Sequence, residues 1–567
     1  MSKLAISPFD QSRYVGSVCT VRPALVEINL PMSSRSSDGH FAGYPLQRGQ
    51  VGEFVVIEGA EHAVLGRLIE TRLPERDRLS VEPTSHNGVV PNPLGVVQLL
   101  TAIDLESGRA LKGVPVSPRI GQYVFSAHPL IVKQVVESSS LTEERRIQLA
   151  TFPHAKNTSV SMPPSYIFGR HCAILGATGG GKSWTLAHLV EEIVRLRGKA
   201  ILFDATGEFG TQNAPGIIHV HLGGRRADAA DPRRFLSFPY WQLTESDLFV
   251  MLRPSPGVQA PKLKEALRSL KIAALVPALA QQGLIRKQGQ LRLPFEQACV
   301  QHASALARPG QWFDIRLLAS QVWEECVYPN GFGAAANTSW GGVTPNEQSA
   351  CVTLLSRIES ELASQSLECL FSPAGLESLP DVVAAFLADP GQRVLRVCLE
   401  FLSFEHSTRE IVVNAVGRYL LMLARQGQFI AMPLVVMLDE AHQFLDKSVG
   451  DEFSRTDLDA FGLIAKEGRK YSLTCVLATQ RPRDVPEDVL SQMGMFVVHR
   501  LINERDRNVV EKACGDLDAS AASFLPTLGQ GEAMVVGVDS PMPLPVLIRK
   551  PQRPPSSRSA NYDALWG

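Results

Sequence analysis

The sequence predicts an α/β fold in which a parallel sheet surrounds a phosphate-binding loop, with a small β-barrel before it and a helical subdomain inserted into it. Three observations lead there. Short apolar segments, alternating in polarity and separated by Gly and Pro, fill residues 1–135. A buried-type run, "HCAIL", enters the glycine-rich "GATGGGKS" and leaves it as the amphipathic stretch "WTLAHLVEEIVRL". Two further runs, "LVVML" and "LTCVLAT", have the unbroken hydrophobicity of strands covered on both faces.

In the N-terminal region, "VGSVCTVRPALVEINL", "GEFVVIEG", "AVLGRLIETRL" and "LGVVQLLTAIDLESG" read as strands. Several strands at this spacing suggest a small barrel, with a single open sheet as the alternative. Residues 136–240 form the first part of the core and include a second strand, "KAILFD". From 241 to 390 the spacing turns helical in "ESDLFVMLR", "KLKEALRSLKIAALVPALAQQG", "FDIRLLASQVWEECV" and "CVTLLSRIESELAS". The core resumes over 391–545 with the strand "RVLRVCLEFLS" and the helix "REIVVNAVGRYLLMLARQG", closed by Gly427. Residues 546–567 are an extended Pro- and Ser-rich tail, ending in Tyr562, Leu565 and Trp566, which need either a surface to bury on or solvent to fray into.

Composition narrows the function classes. At 567 residues, 45% hydrophobic and 20% charged, the chain is long and apolar enough for large folded cores, about three to five domains by length. Its 56 Lys and Arg balance 57 Asp and Glu, for a net charge of −1, which excludes a protein coated in nucleic acid and confines any such contact to a pore or groove. Nine scattered cysteines, none in a CxxC pair, argue against a disulfide framework or zinc site and suit a reducing cytoplasm. No apolar signal core opens the chain and no uncharged run reaches about 18 residues, so no membrane association is expected.

The chemistry begins at Gly176-Ala177-Thr178-Gly179-Gly180-Gly181-Lys182-Ser183, which fits G-x-x-x-x-G-K-[ST] and is followed by Trp184. Backbone N–H groups of such a loop cradle the phosphates of ATP, Lys182 reaches the β- and γ-phosphates, and Ser183 ligates Mg²⁺. The strand "LVVML" delivers Asp439 and Glu440, suited to the Mg²⁺ shell and to polarising the attacking water; capping of a helix start is the competing reading. Asp204 and Glu208 of "FDATGEFG" end the second core strand, where they either support the metal and water or cap a turn. Gln480 ends "LTCVLATQ", where a polar side chain can sense the γ-phosphate. In "KEGRKYS", Arg469 follows Gly468 and has the planar, permanent charge that the transferring phosphoryl group requires. Lys466 and Lys470 beside it fit solvated surface charge.

Taken in order, the barrel, "RHCAILGATGGGKS", "FDATGEF", the helical insertion, "VVMLDEAHQF", "KEGRKY" and "VLATQRPRDV" resemble the HerA-like ATPases of the HerA/FtsK superfamily over nearly the whole chain. The resemblance implies a RecA-like core and a homo-hexameric ring that moves double-stranded DNA through a central pore. It implies Lys182 and Ser183 at the phosphates and Mg²⁺, Asp439 and Glu440 as the acidic pair, Gln480 as sensor, and Arg469 as a finger reaching a neighbouring subunit. It also implies an effector partner, a nuclease in DNA end processing or, in related phage-defence systems, a nuclease or sirtuin-like NADase. Gly180 stands where the family loop commonly has Ser, a change that a cradle built from backbone N–H groups tolerates. Candidate DNA contacts are Arg225, Arg226, Arg233 and Arg234 in "GGRRADAADPRRF", with Lys262, Lys264 and Arg268 on a following helix; solvated charge is the alternative. Two other functions compete with the motor: an ATPase scaffold that activates its effector allosterically, and a conjugation-type DNA-pumping ATPase.

Overall fold

The computed structural model describes residues 4–31, 40–42, 44–46, 49–74, 92–111, 113–137, 142–224, 232–333, 337–372, 375–445, 448–450, 452, 455–515, 517 and 519–556. The chain divides into two compact units, residues 1–192 with 476–552, and residues 193–475 with 553–567.

The first unit opens with the barrel. Its strands run in the cyclic order Tyr14–Val21, Tyr123–Ser126, Phe54–Ile57, His62–Arg72, Leu94–Asp104, Leu25–Asn29, every neighbouring pair antiparallel. Closure comes from Leu25–Asn29, which pairs with Tyr14–Val21 on one side and with Leu94–Asp104 on the other. The alternation read from sequence now has a destination: Val15, Val26, Ile28, Val55, Ile57, Leu68, Val97 and Val124 point inward and are fully buried. Register shifts at Val18/Thr20, Leu65/Gly66 and Leu68/Glu70 supply the bends that close so small a barrel.

The rest of this unit is a mixed sheet in the order Ala155–Met162, Ile147–Phe152, Leu544–Ile548, Glu532–Gly537, Met495–His499, Cys172–Leu175, then residues 476–479. Cys172–Leu175 lies parallel to both of its neighbours, with Cys172 beside Val476 and Met495. The expected parallel sheet is therefore extended by antiparallel strands, because Met495–His499, Glu532–Gly537 and Leu544–Ile548 return on one another. Strand Leu544–Ile548 also carries regular structure past residue 546, where the tail was expected to begin.

The second unit holds a wholly parallel sheet, in the order Leu434–Leu438, Lys199–Asp204, Val394–Cys398, Ile217–Leu222, Phe235–Ser237, Glu377–Ser378. Leu434–Leu438, Lys199–Asp204 and Val394–Cys398 are buried at every position, which explains their lack of alternation. Helix Thr408–Arg425 ends where Gly427 takes φ 81°, a conformation that costs glycine little. The helical insertion includes Gln259–Leu275, Leu318–Glu324 and Pro345–Ala363 and has its own core of Ile272, Ile285, Phe295 and Cys299. Among the described residues no helix is long and apolar enough to cross a membrane.

Candidate nucleotide-binding and hydrolysis site

In the first unit, the buried strand Cys172–Leu175 aims the glycine-rich loop at the start of helix Lys182–Arg195. Gly179 and Gly181 take φ 75° and 117°, so the loop needs glycine at both positions. Ala177 N–H donates to Arg500 O at 2.9 Å and Gly180 N–H to Ala177 O at 3.1 Å, which fixes the two ends of the curve. The N–H groups of a helix's first turn have no intrahelical acceptor and favour an anion in front of them. Lys182 is 9% exposed, and its ammonium donates to Ala177 O at 3.1 Å and so is held over the loop that would receive phosphate. Gln480 reaches the same loop: its Oε1 lies 2.5 Å from the Thr178 hydroxyl, which donates to it. Trp184 lies under the Lys550 ammonium, 5.6 Å from ring centroid to Nζ.

The second unit carries the acids. Asp439 ends strand Leu434–Leu438 and is 6% exposed. Burial first, then the negative charges of Asp204, Glu440 and Glu208, raise its carboxyl well above the ordinary carboxylate value. A hard divalent cation beside this carboxyl would relieve the repulsion and needs only one or two protein carboxylates. Among the described residues no group of three or more His, Cys, Asp or Glu side chains is placed to hold a metal, so Mg²⁺ here would draw its other ligands from phosphate and water. Glu440 follows in the left-handed region at φ 48°, unusual for a residue with a side chain, and its Oε2 lies 3.3 Å from His442 Nδ1.

Removing the Asp439 charge gives a testable consequence. Asp439→Asn is expected to raise the thermal midpoint of the nucleotide-free protein, because it deletes a repelled buried charge. It is also expected to abolish any upward shift of that midpoint on adding millimolar Mg²⁺, as read by calorimetry with and without EDTA.

Asp204 stands apart from its neighbours. It is fully buried and accepts from Gly207 N–H at 2.8 Å, Phe209 N–H at 3.1 Å and Arg396 Nε at 2.7 Å, with Arg396 Nη2 2.6 Å away. These bonds make it the anchor of the turn after its strand. Glu208 sits on that turn, and its carbonyl accepts from Ser556 N–H at 2.9 Å. The described end of the tail, residues 553–556, thus lies on this turn, where Thr211 Oγ1 also donates to Pro554 O at 2.7 Å. Tyr562, Leu565 and Trp566 fall outside the described residues.

"KEGRKYS" is the end of a helix and the tight turn that follows it. Lys466 occupies the last turn of Ala460–Glu467, where its charge complements the helix terminus. Residues Gly468–Tyr471 continue as a tight helical turn, closed by Ser472 at φ 58°. A Cβ on Gly468 would stand 2.5 Å from Leu473 O, so the chain doubles back too closely for any other residue. The Glu467 carboxyl bonds Arg425 at 2.8 Å and is held low, first by Arg425 and then by Lys470. Arg469 is exposed, and its guanidinium has no hydrogen bond or ion pair among the described residues.

The candidate DNA contacts divide. Arg225 and Arg226 fall outside the described residues. Arg234 is committed to a two-pronged pair with Glu377, at 2.6 and 3.0 Å, and Arg233 lies over the rings of Phe235 and Phe401. Sequence reading passed over two residues that the structure makes prominent, Arg396 and His499. His499 carried the signal that marked Gln480, a polar residue at the end of an apolar strand, whereas Arg396 is a lone cation in the middle of the apolar strand Val394–Cys398.

A glycine-rich loop at a strand end with a strand-end glutamine bonded to it, and in the second unit the strand-end acids Asp439 and Glu440, are the parts of a P-loop ATPase of the helicase and translocase class. Residues 147–286 match the family model "Helicase HerA, central domain", and residues 421–563 match "Helicase HerA-like C-terminal". The chain belongs to the HerA-like ATPases. It is similar to the DNA double-strand break repair helicase HerA of Pyrococcus furiosus, 23% identical over 76% of this chain and 73% of the relative. It is also similar to a probable helicase of Methanocaldococcus jannaschii, 20% identical over 91% of this chain and 90% of that one. Among solved structures, VirB4 of Thermoanaerobacter pseudethanolicus is similar at TM-score 0.47 and 13% identity, covering 75% of this chain and 100% of that one, a likeness too distant to bear on function.

Proposed function

We propose that this chain is the ATP-hydrolysing subunit of a homo-hexameric ring that translocates double-stranded DNA through its pore and works with an effector, a nuclease or an NAD-consuming enzyme. The observation that carries the ring is Arg469: an exposed guanidinium on a tight turn whose backbone Gly468 packs closely, without a partner among the described residues. A flexible surface cation needs no such support. A cation that completes a neighbour's site does, because its benefit depends on being in place before the reaction.

In this reading the N–H groups of Gly176–Ser183 hold the phosphates and Lys182 exchanges Ala177 O for a phosphate oxygen. Ser183 and Asp439 would hold Mg²⁺, which when bound neutralises charge on the phosphate oxygens. Glu440 takes up the proton side of the attacking water, Gln480 orients at the γ-phosphate, and Arg469 of the adjacent subunit meets the charge that develops there. DNA would be held through its phosphates; Arg225 and Arg226 remain the candidates, since Arg234 is already paired.

The test mixes two inactive variants. Arg469→Ala and Glu440→Ala subunits, each at least about 100-fold slower alone, are expected to regain part of the duplex-stimulated hydrolysis when mixed, because some interfaces then carry both intact residues. Mass photometry with ATP and duplex DNA should show six subunits. A monomer that hydrolyses ATP with Arg469→Ala fully active would overturn the ring. A ring that hydrolyses ATP yet neither binds nor moves on duplex DNA would favour the scaffold reading, to which a net charge of −1 is well suited.

A further inference from the structure

The phosphate loop rests on a side chain that the ATPase reading leaves unused. His499 ends strand Met495–His499, is fully buried, and lies directly beneath the loop. A Cβ added at Gly176 would stand 2.6 Å from His499 Cβ, and one at Gly181 would stand 3.1 Å from Cε1, so the loop backbone is already in contact with this side chain. Both ring nitrogens are bonded. Nδ1 lies 2.9 Å from Glu532 O, a pure acceptor, and therefore carries the hydrogen. Nε2 lies 2.8 Å from the Thr185 hydroxyl in the first turn of the loop's helix and accepts from it. The ring stays neutral because burial, and then the Lys182 charge, push its pKa down to about 4 against the pull of the Glu532 carbonyl. A second tie runs from the same sheet: Gly531 N–H donates to Gly180 O at 3.2 Å.

We propose that His499 is a positioning residue for ATP binding, a neutral floor that holds the phosphate loop and the start of its helix at the curvature the phosphates require. Its side chain touches three elements: the loop at Gly176 and Gly181, the helix at Thr185, and the start of the strand Glu532–Gly537. A neutral group in this place leaves Lys182 as the cation the phosphates meet. The proposal rests on the loop binding ATP and is independent of DNA translocation.

The experiment uses the full chain and three substitutions. His499→Leu removes both bonds, Thr185→Val removes the hydroxyl while keeping its shape, and His499→Gln restores an acceptor near the Nε2 position. His499→Leu and Thr185→Val are each expected to raise the KM for ATP about tenfold with kcat within about twofold of the parent. His499→Gln should recover most of the loss. The nucleotide-free thermal midpoint reports whether each variant folds, and titration of ATP into the parent reports whether the loop binds nucleotide. If the parent binds ATP and the folded variants share its KM, or if Gln behaves as Leu does, the positioning role is wrong. A parent that binds no ATP overturns the nucleotide reading together with this proposal.

Discussion

Lys182→Ala is expected to lower kcat/KM for ATP hydrolysis by at least about 100-fold while leaving the nucleotide-free fold intact. Lys182 is 9% exposed and its ammonium donates to Ala177 O at 3.1 Å, so in the free protein it is held against a carbonyl of the loop itself. Phosphate oxygens offer a charged acceptor in a water-poor place, and the interaction grows as negative charge shifts toward the leaving group. Removing it therefore loses more in the transition state than in the free enzyme. Lys182→Arg is expected to rescue little, because a planar fork cannot occupy the space of a compact ammonium at the first position of the helix. Steady-state hydrolysis and an ATP-binding titration check this together. An Ala variant with parental turnover would remove Lys182 from the mechanism.

The second large effect is on stability. Arg396→Met is expected to cost about 3–5 kcal/mol, read from the midpoint of urea or thermal unfolding. Arg396 and Asp204 have side-chain exposures of 4% and 0%. Breaking the pair leaves the carboxylate buried with only two backbone donors, Gly207 and Phe209. It also strips a donor from Gly207 O, which Arg396 Nη2 reaches at 3.2 Å, and frees the turn that bears Glu208. Arg234→Ala is the natural comparison. Its pair with Glu377 has equally good geometry but side-chain exposures of 39% and 59%, and exposed pairs are worth about 0–1 kcal/mol. Equal losses in the two variants would contradict the burial argument. Asp204→Asn should likewise cost stability first, since its carboxylate is engaged by the turn and by Arg396.

Part of this was readable residue by residue. The barrel strands announced themselves because one face of a small closed sheet is dry and the other wet, so Val26 and Ile28 alternate with Glu27. The phosphate loop announced itself because only glycine accepts φ 75° and 117° with a helix starting at once afterwards. The inner strands were found by their uninterrupted apolar runs, and Gly427 marked its helix end by the conformation it alone adopts cheaply. The antiparallel extension was missed, because pairing partners far apart in sequence leave no local signal. In "KEGRKYS" the three cations drew attention to charge, while the helix terminus they sit on left no separate mark.

The amino-acid order alone carries the inventory: a β-barrel, a phosphate loop, an acidic pair, a strand-end glutamine, a basic segment, and the succession that marks a HerA-like ATPase. Those features rest on local conformational demands, which short stretches of chain must satisfy alone. The difference in role between like residues comes from the folded neighbourhood of each. Asp204 and Asp439 both end buried strands, yet Arg396 engages one while the other is crowded by negative charge. Lys466, Arg469 and Lys470 share one basic run, yet Arg469 alone combines exposure with a guanidinium that has no partner among the described residues. His499 was one more polar residue after an apolar run until the fold set it beneath Gly176 and Gly181. Charge, burial and hydrogen-bond partners belong to neighbourhoods in space, and residues hundreds of positions apart compose each of them.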